Sequence, residues 1–208
     1  MAKSFQKKKL KKPLFIVFEG VDGAGSSTQT QLLSEWFKKH NLPVLATKEP
    51  TNNLIGGLIR GVLTKEWALN PTGLQLLFSA DRAHHLQREI EPALKKGINV
   101  ICDRYLYSSI AFGGLDLEFD WLWKINKNFL TPDIVFWLKI SPQTAINRIN
   151  QSRAGFELFE EVKKMEKINQ NYQKIAKRLK NFYEIDAEQT PQQMLAEEIK
   201  IVKRFFHN

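Results

Sequence analysis

The 208-residue chain predicts an α/β fold, a three-layer α/β/α sandwich on a five-stranded parallel sheet. Three observations predict it. Five apolar runs of strand length, at 14–18, 42–47, 98–102, 133–140 and 181–185, alternate with stretches of helical spacing, the pattern of a parallel sheet covered on both faces. The first run passes through the glycine-dense turn Gly20-Val21-Asp22-Gly23-Ala24-Gly25 into an amphipathic stretch. In that layout loop N–H groups and a helix N-terminus form a cradle for phosphate. Polar residues then cluster after the first three runs, at the turn itself, at Lys48-Glu49 and at Asp103-Arg104, the strand ends where such sheets bind ligands.

Each element has its own justification. Leu14-Phe15-Ile16-Val17-Phe18 is a continuous apolar run with the composition of a buried strand. Gln31 to Phe37 has helical amphipathicity, and Leu42 to Thr47 reads as a second strand. Residues 48–53 are turn-rich, with Pro50 biasing Glu49 away from helix. Helical spacing resumes over 54–63 with Gly56-Gly57 as a weak point. Pro71 opens one long helix through Leu74, Leu77, Phe78, Ala80 and Leu86 to about Lys96, stopped by Gly97. Short helices are expected over 105–113 and 118–129. Ser141-Pro142 supplies an N-cap and an N1 proline for a helix to about Gln151. A break at 152–155 precedes a long helix over 157–179, and Thr190-Pro191 opens the closing helix.

Composition bounds the class. A hydrophobic fraction of 43% and a charged fraction of 25% are those of an ordinary soluble globular protein. No apolar run approaches the ~20 residues of a membrane span, and no apolar secretory segment stands at the N-terminus. The single cysteine, Cys102, excludes an intrachain disulfide and fits a reducing, cytoplasmic setting. The net charge of +9 is uneven: Lys3, Lys7, Lys8, Lys9, Lys11 and Lys12 supply six charges, and no acid precedes Glu19. Residues 1–12 are therefore expected to be a basic, disordered tail ahead of one domain at 13–208. The tail reads as a solubilising arm or a weak polyanion contact; the mildly basic body does not indicate a nucleic-acid surface.

The turn meets the pattern G-x-x-x-x-G-K-[ST] at Gly20 and Gly25, but Ser26 stands in the lysine position. Further motifs accompany it: FEGVDGAGSSTQ at 18–29, KEP at 48–50, LLFSADR at 76–82, DRYLYSSIAF at 103–112, PDIVFWL at 132–138 and EIDA at 184–187. On these stretches nearly the whole chain after the tail resembles the thymidylate kinase family of P-loop kinases. F-S-A-x-R and D-R-Y-x-x-S-S are far more specific than the loop alone. The resemblance implies Mg²⁺-dependent transfer of the γ-phosphate of ATP to dTMP, giving dTDP for dTTP biosynthesis, by a homodimer.

It also implies residue roles. Asp22 would contact the 3′-hydroxyl of dTMP, an acceptor role suited to a carboxylate. Phe78 would stack on thymine while Arg82, four residues on, donates to a carbonyl of the base. On periodicity alone Phe78 would be core; the resemblance reverses that. Arg104 would grip the acceptor phosphate with its planar fork. Lys48, where many members carry arginine, would touch the same phosphate more loosely. Tyr105, Ser108, Ser109 and Phe112 would line the deoxyribose side. Gly20, Gly23, Ala24, Gly25, Ser26, Ser27 and Thr28 would hold the ATP phosphates. Ser27 would ligate Mg²⁺, favoured over Thr28 by spacing, with Asp103 beside the metal and the reacting phosphates.

Gly23 occupies the place where some members carry a catalytic arginine; others carry basic residues in a lid. This chain resembles the lid kind, with a lid around 148–156 and Arg148 and Arg153 as its cations, although the lid is short and lacks an Arg-rich run. Ser26 can donate one hydrogen bond and carries no charge. Loss of one preorganised transition-state donor costs roughly 10²–10³ in rate. Three readings follow: Arg148 or Arg153 substitutes for lysine, the enzyme is slow, or the protein binds nucleotides without transferring phosphate.

Overall fold

The computed structural model describes residues 12–150 and 158–206. The expected tail up to Lys11, and Arg153 with most of the expected lid, lie outside the described residues. Strands β1 (Phe15–Gly20), β2 (Val44–Lys48), β3 (Asn99–Asp103), β4 (Ile134–Lys139) and β5 (Phe182–Asp186) form one sheet in the order β2-β3-β1-β4-β5. Every pairing is parallel. The five-stranded parallel α/β fold read from the alternation is therefore observed.

The helices are α1 (Ser26–Lys39), α2 (Leu54–Leu63), α3 (Pro71–His85), α4 (Glu91–Lys95), α5 (Leu106–Gly113), α6 (Phe119–Asn126), α7 (Pro142–Asn150), α8 (Leu158–Ala176) and α9 (Pro191–Val202). α1 packs on α9, whereas α3, α5 and α8 form a connected second layer. Right-handed crossovers require this division, because the chain leaves β1 toward one sheet edge and leaves β3 toward the other. β1, flanked by β3 and β4, is buried along its entire length. Its end lies beside the end of β3 at the point where the outgoing connections diverge, the crevice in which such sheets bind ligands.

Two segments depart from the expected periodicity. The helix expected from Pro71 to Lys96 contains a π-helical turn at Leu86–Ile90, between α3 and α4. Pro92, at the start of α4, has no N–H for the regular ladder and its ring crowds the carbonyl four residues back, so the bonding pattern shifts. At Gly56-Gly57 helix α2 runs through unbroken. A Cβ on Gly56 would collide with the Thr51 carbonyl, so glycine here lets the helix lie against the preceding turn.

Candidate active site

The donor side is built from backbone. After β1, Gly23 and Gly25 adopt left-handed φ values of 81° and 96°, and α1 begins at Ser26 with its free N–H groups turned to the loop. A Cβ on Gly23 would lie 2.5 Å from the Ala145 carbonyl oxygen of α7, so no side chain fits there. Residues from Val21 to Gln29 line a cavity of about 560 Å³ together with Asp103, Arg104 and Arg148. Arg148, exposed on α7, donates to the Ala187 carbonyl at 2.9 Å and to the Gly23 carbonyl at 3.5 Å. Ser26 is 8% exposed and forms part of the cavity wall.

At the end of β3 the Ser27 hydroxyl donates to Asp103 Oδ2, and Asp103 Oδ1 is buried with no partner. A hydroxyl beside a carboxylate with an unused oxygen is a hard-oxygen set. It suits Mg²⁺, which takes one or two protein oxygens and completes its shell with water and phosphate.

Arg104 sits with φ 68° at the junction of two cavities. Its guanidinium donates to the Gly20 carbonyl at 2.8 Å, to Ser108 Oγ at 3.3 Å and to Asp22 at 2.7 Å, and lies 5.1 Å from the Phe112 ring. Beneath it, Glu19 is fully buried and accepts from the Tyr105 N–H, the Ser108 hydroxyl and the Tyr172 hydroxyl. Burial pushes the Glu19 carboxyl up to about 7, against the lowering effect of Ser108 and Arg104.

The second cavity, about 400 Å³, is walled by side chains of α2, α3 and α5 and of the loops that follow β1, β2 and β3. Phe78 is half-buried on its wall, and Arg82 is 1% exposed. Arg82 donates to Asn126 Oδ1 at 2.5 Å and Ser109 Oγ at 2.9 Å, and its Nε–H is buried without a partner. Tyr105 lies under it, ring centroid 5.1 Å from the guanidinium. Asp22 and Arg104 belong to this cavity and to the donor cavity alike, so one ion pair joins the two.

The family profile for thymidylate kinase matches residues 18–199. The chain belongs to the thymidylate kinase family. A protein of Thermococcus onnurineus called a probable thymidylate kinase is 44% identical over 176 residues, covering 79% of this chain and 85% of its own. A probable thymidylate kinase of Pyrococcus abyssi is 38% identical over 198 residues, covering 91% and 95%. A thymidylate kinase of Leptospira interrogans is 38% identical over 196 residues, covering 93% and 95%.

Against the roles implied by resemblance to thymidylate kinases, the structure brings Asp22, Phe78, Arg82, Arg104, Tyr105, Ser108, Ser109 and Phe112 around one cavity. Gly23, Ala24, Gly25, Ser26, Ser27, Thr28, Asp103 and Arg148 line the other, while Gly20 contributes its carbonyl to Arg104 and Tyr172. Lys48 is the exception. It is exposed and lines a third, polar cavity with Ser27 and Asp103, away from Phe78 and Arg82. In the sheet Lys48 pairs with Asp103, and paired residues of parallel strands face one way. The next residues, Glu49 and Arg104, both line the Phe78 cavity instead. Within the cavity Tyr105 is 1% exposed, so Phe112, half-buried beside Arg104, is the aromatic nearer the opening.

Sequence reasoning assigned no role to Glu19, Glu49, Asn126 or Tyr172, which line the cavity or hold its residues. Glu19 and Glu49 lay inside quoted motifs, one residue from groups that drew attention. Tyr172 lies within the long helix expected over 157–179, and its hydroxyl reaches Glu19 at 3.1 Å across 153 residues.

Proposed function

We propose that this protein transfers the γ-phosphate of ATP to dTMP, giving dTDP for dTTP biosynthesis. The observation that carries this reading is the junction. A phosphate cradle and a nucleoside-sized cavity meet at the Asp22–Arg104 pair, 2.7 Å apart. Two anionic reactants must be brought into line there despite their repulsion, and phosphoryl transfer asks mainly for positioning and charge stabilisation. The acceptor is a phosphate oxyanion, so no strong general base is required.

Arg104 leaves Asp22 for the acceptor phosphate, and Asp22 is then free to accept from the 3′-hydroxyl. Phe78 stacks on thymine, and Arg82, four residues on in the same helix and on the same cavity, donates to a base carbonyl. Ser27 and Asp103 would hold Mg²⁺, which when bound neutralises charge on the donor phosphates. The loop N–H groups receive those phosphates. Arg148 is the described cation best placed on the donor side to serve where Ser26 has no charge, and Arg153 is a second one by sequence.

The setting is read as cytoplasmic; among the described residues no helix is long and apolar enough to cross a membrane. The exposed Leu54, Leu58 and Leu63 on α2 and Leu76 on the adjoining α3 support a homodimer. The test is ADP release from ATP on addition of dTMP, with dTDP measured directly. Wild type should turn over well above Asp103→Ala. Equal background in both would overturn the reading.

A further inference from the structure

Under the Phe78 cavity lies a buried polar chain that the reaction itself does not use. Arg82 Nη2 is 2.8 Å from Glu49 Oε2, with side chains 1% and 3% exposed. The contact is an ion pair without a well-directed hydrogen bond. The other oxygen of Glu49 lies 3.1 Å from Nδ1 of His85, whose side chain is 0% exposed. A carboxylate only accepts, so the proton of that contact is carried by Nδ1. His85 Nε2 is 2.7 Å from the Thr47 hydroxyl on β2.

The chain fixes the plane of the guanidinium. Its two terminal nitrogens are taken by acceptors from three separate places: Glu49 just after β2, Ser109 on α5 and Asn126 at the end of α6. The rings of Tyr105 and Phe129 lie 5.1 and 5.5 Å from its central carbon. Three of its five N–H donors are thus engaged by the protein, and Nε is buried without a partner. A guanidinium free to rotate would offer its fork to any acceptor; held in this way it keeps its remaining N–H groups in fixed directions. Glu49 can hold it only if Glu49 is itself held, and His85 does that.

We infer that Glu49 and His85 are positioning residues for base recognition, holding the Arg82 guanidinium in the plane in which it meets a carbonyl oxygen of the pyrimidine. The inference rests on the reading of this cavity as the dTMP site. His85 lies outside the cavity lining and Glu49 on its floor, and both act through Arg82.

The test uses calorimetric binding of dTMP and steady-state kinetics on wild type, His85→Leu, His85→Asn and Glu49→Gln. His85→Leu keeps the site filled and apolar but releases Glu49. It should weaken dTMP binding, and raise the KM for dTMP, by about 10- to 100-fold, the scale of a small misplacement of a binding group. The KM for ATP and the kcat at saturating dTMP should stay near wild type. His85→Asn sets an amide N–H where Nδ1 was and should recover most of the affinity. Glu49→Gln, which removes the charge opposite Arg82, should weaken dTMP at least as much as His85→Leu. If it does not fold, the two His85 variants carry the test. A merely space-filling His85 predicts the opposite order, with leucine tolerated and the smaller, polar asparagine harmful. That order, or dTMP affinity unchanged in His85→Leu while wild type binds dTMP, would overturn the inference alone. A wild type that binds no dTMP would overturn the dTMP reading and this inference with it.

Discussion

The nucleoside cavity and the donor cradle share Asp22 and Arg104, yet they are made of different materials. The nucleoside side uses side chains, most of them on helices, locked by buried contacts: Arg82 to Glu49, Ser109 and Asn126, and Glu19 to Ser108 and Tyr172. The donor side uses loop amides, a helix N-terminus and an exposed arginine tied to two carbonyls. The difference follows from what each must recognise. A base and a sugar demand shape and directed hydrogen bonds, so their partners must be rigid. A phosphate chain demands positive potential, which many N–H groups supply together. A serine in the lysine position removes one contributor from a collective cradle, whereas loss of one group on the nucleoside side would unlock its neighbours.

Substitutions at four positions probe that contrast. The largest effect is expected from Arg104→Lys, at the junction. Lysine keeps the charge but loses the fork that spans Gly20, Ser108 and Asp22, and kcat/KM for dTMP should fall by roughly 10²–10³. An unaltered value would show that charge alone serves there. Next is Gly23→Ala. The left-handed φ of 81° and the 2.5 Å approach to Ala145 predict a loss of about 2–3 kcal/mol in unfolding free energy, with a raised KM for ATP and little change for dTMP. Gly23→Arg should do worse and not restore the charge missing at Ser26.

Third is Glu198 on α9, one turn from Met194 of the donor cavity. It is fully buried, and neither carboxyl oxygen has a hydrogen-bond partner. Burial pushes its carboxyl from the ordinary 4.5 up to about 9, with a further push from Glu197. The folded state therefore holds a proton that the unfolded chain releases. Stability should decline as pH rises from about 4.5 to about 9 and level off above that. At pH 7 the penalty is at most about 3 kcal/mol. Glu198→Met should recover about 1–3 kcal/mol at pH 7 and flatten the pH dependence of the melting temperature; an unchanged profile would count against the buried proton.

The smallest expected effect is Ser26→Lys. The cavity beside Ser26 has room for the longer chain. Added charge in an otherwise complete cradle should raise kcat about tenfold, part of what one donor contributes. The KM for dTMP should be unchanged. No gain would mean that the donor site is built around serine, with Arg148 already in the role.

Much of this was legible before any coordinates. The five strands fall within two residues of their expected starts, because a buried parallel strand is a local apolar run and a helix a local period. The Ser141 cap, the Gly97 stop and the Thr190-Pro191 opening were equally local. The π-turn at Leu86–Ile90 was not read, although Pro92 supplied its signal.

By itself the sequence determined the order of elements, the phosphate-binding loop and the types of residue at each strand end, since all of these are written in neighbouring positions. Only the tertiary structure decided which way those residues face and what holds them. Strand alternation and the pairing with Asp103 send Lys48 to the opposite side from Glu49, which a motif of three letters cannot express. Gly23 must be glycine because of Ala145, 122 residues later, and Arg82 is fixed in one plane because acceptors from three distant segments hold its fork. Such contacts join residues that no local period relates, and they come into being only when the sheet brings its strand ends together.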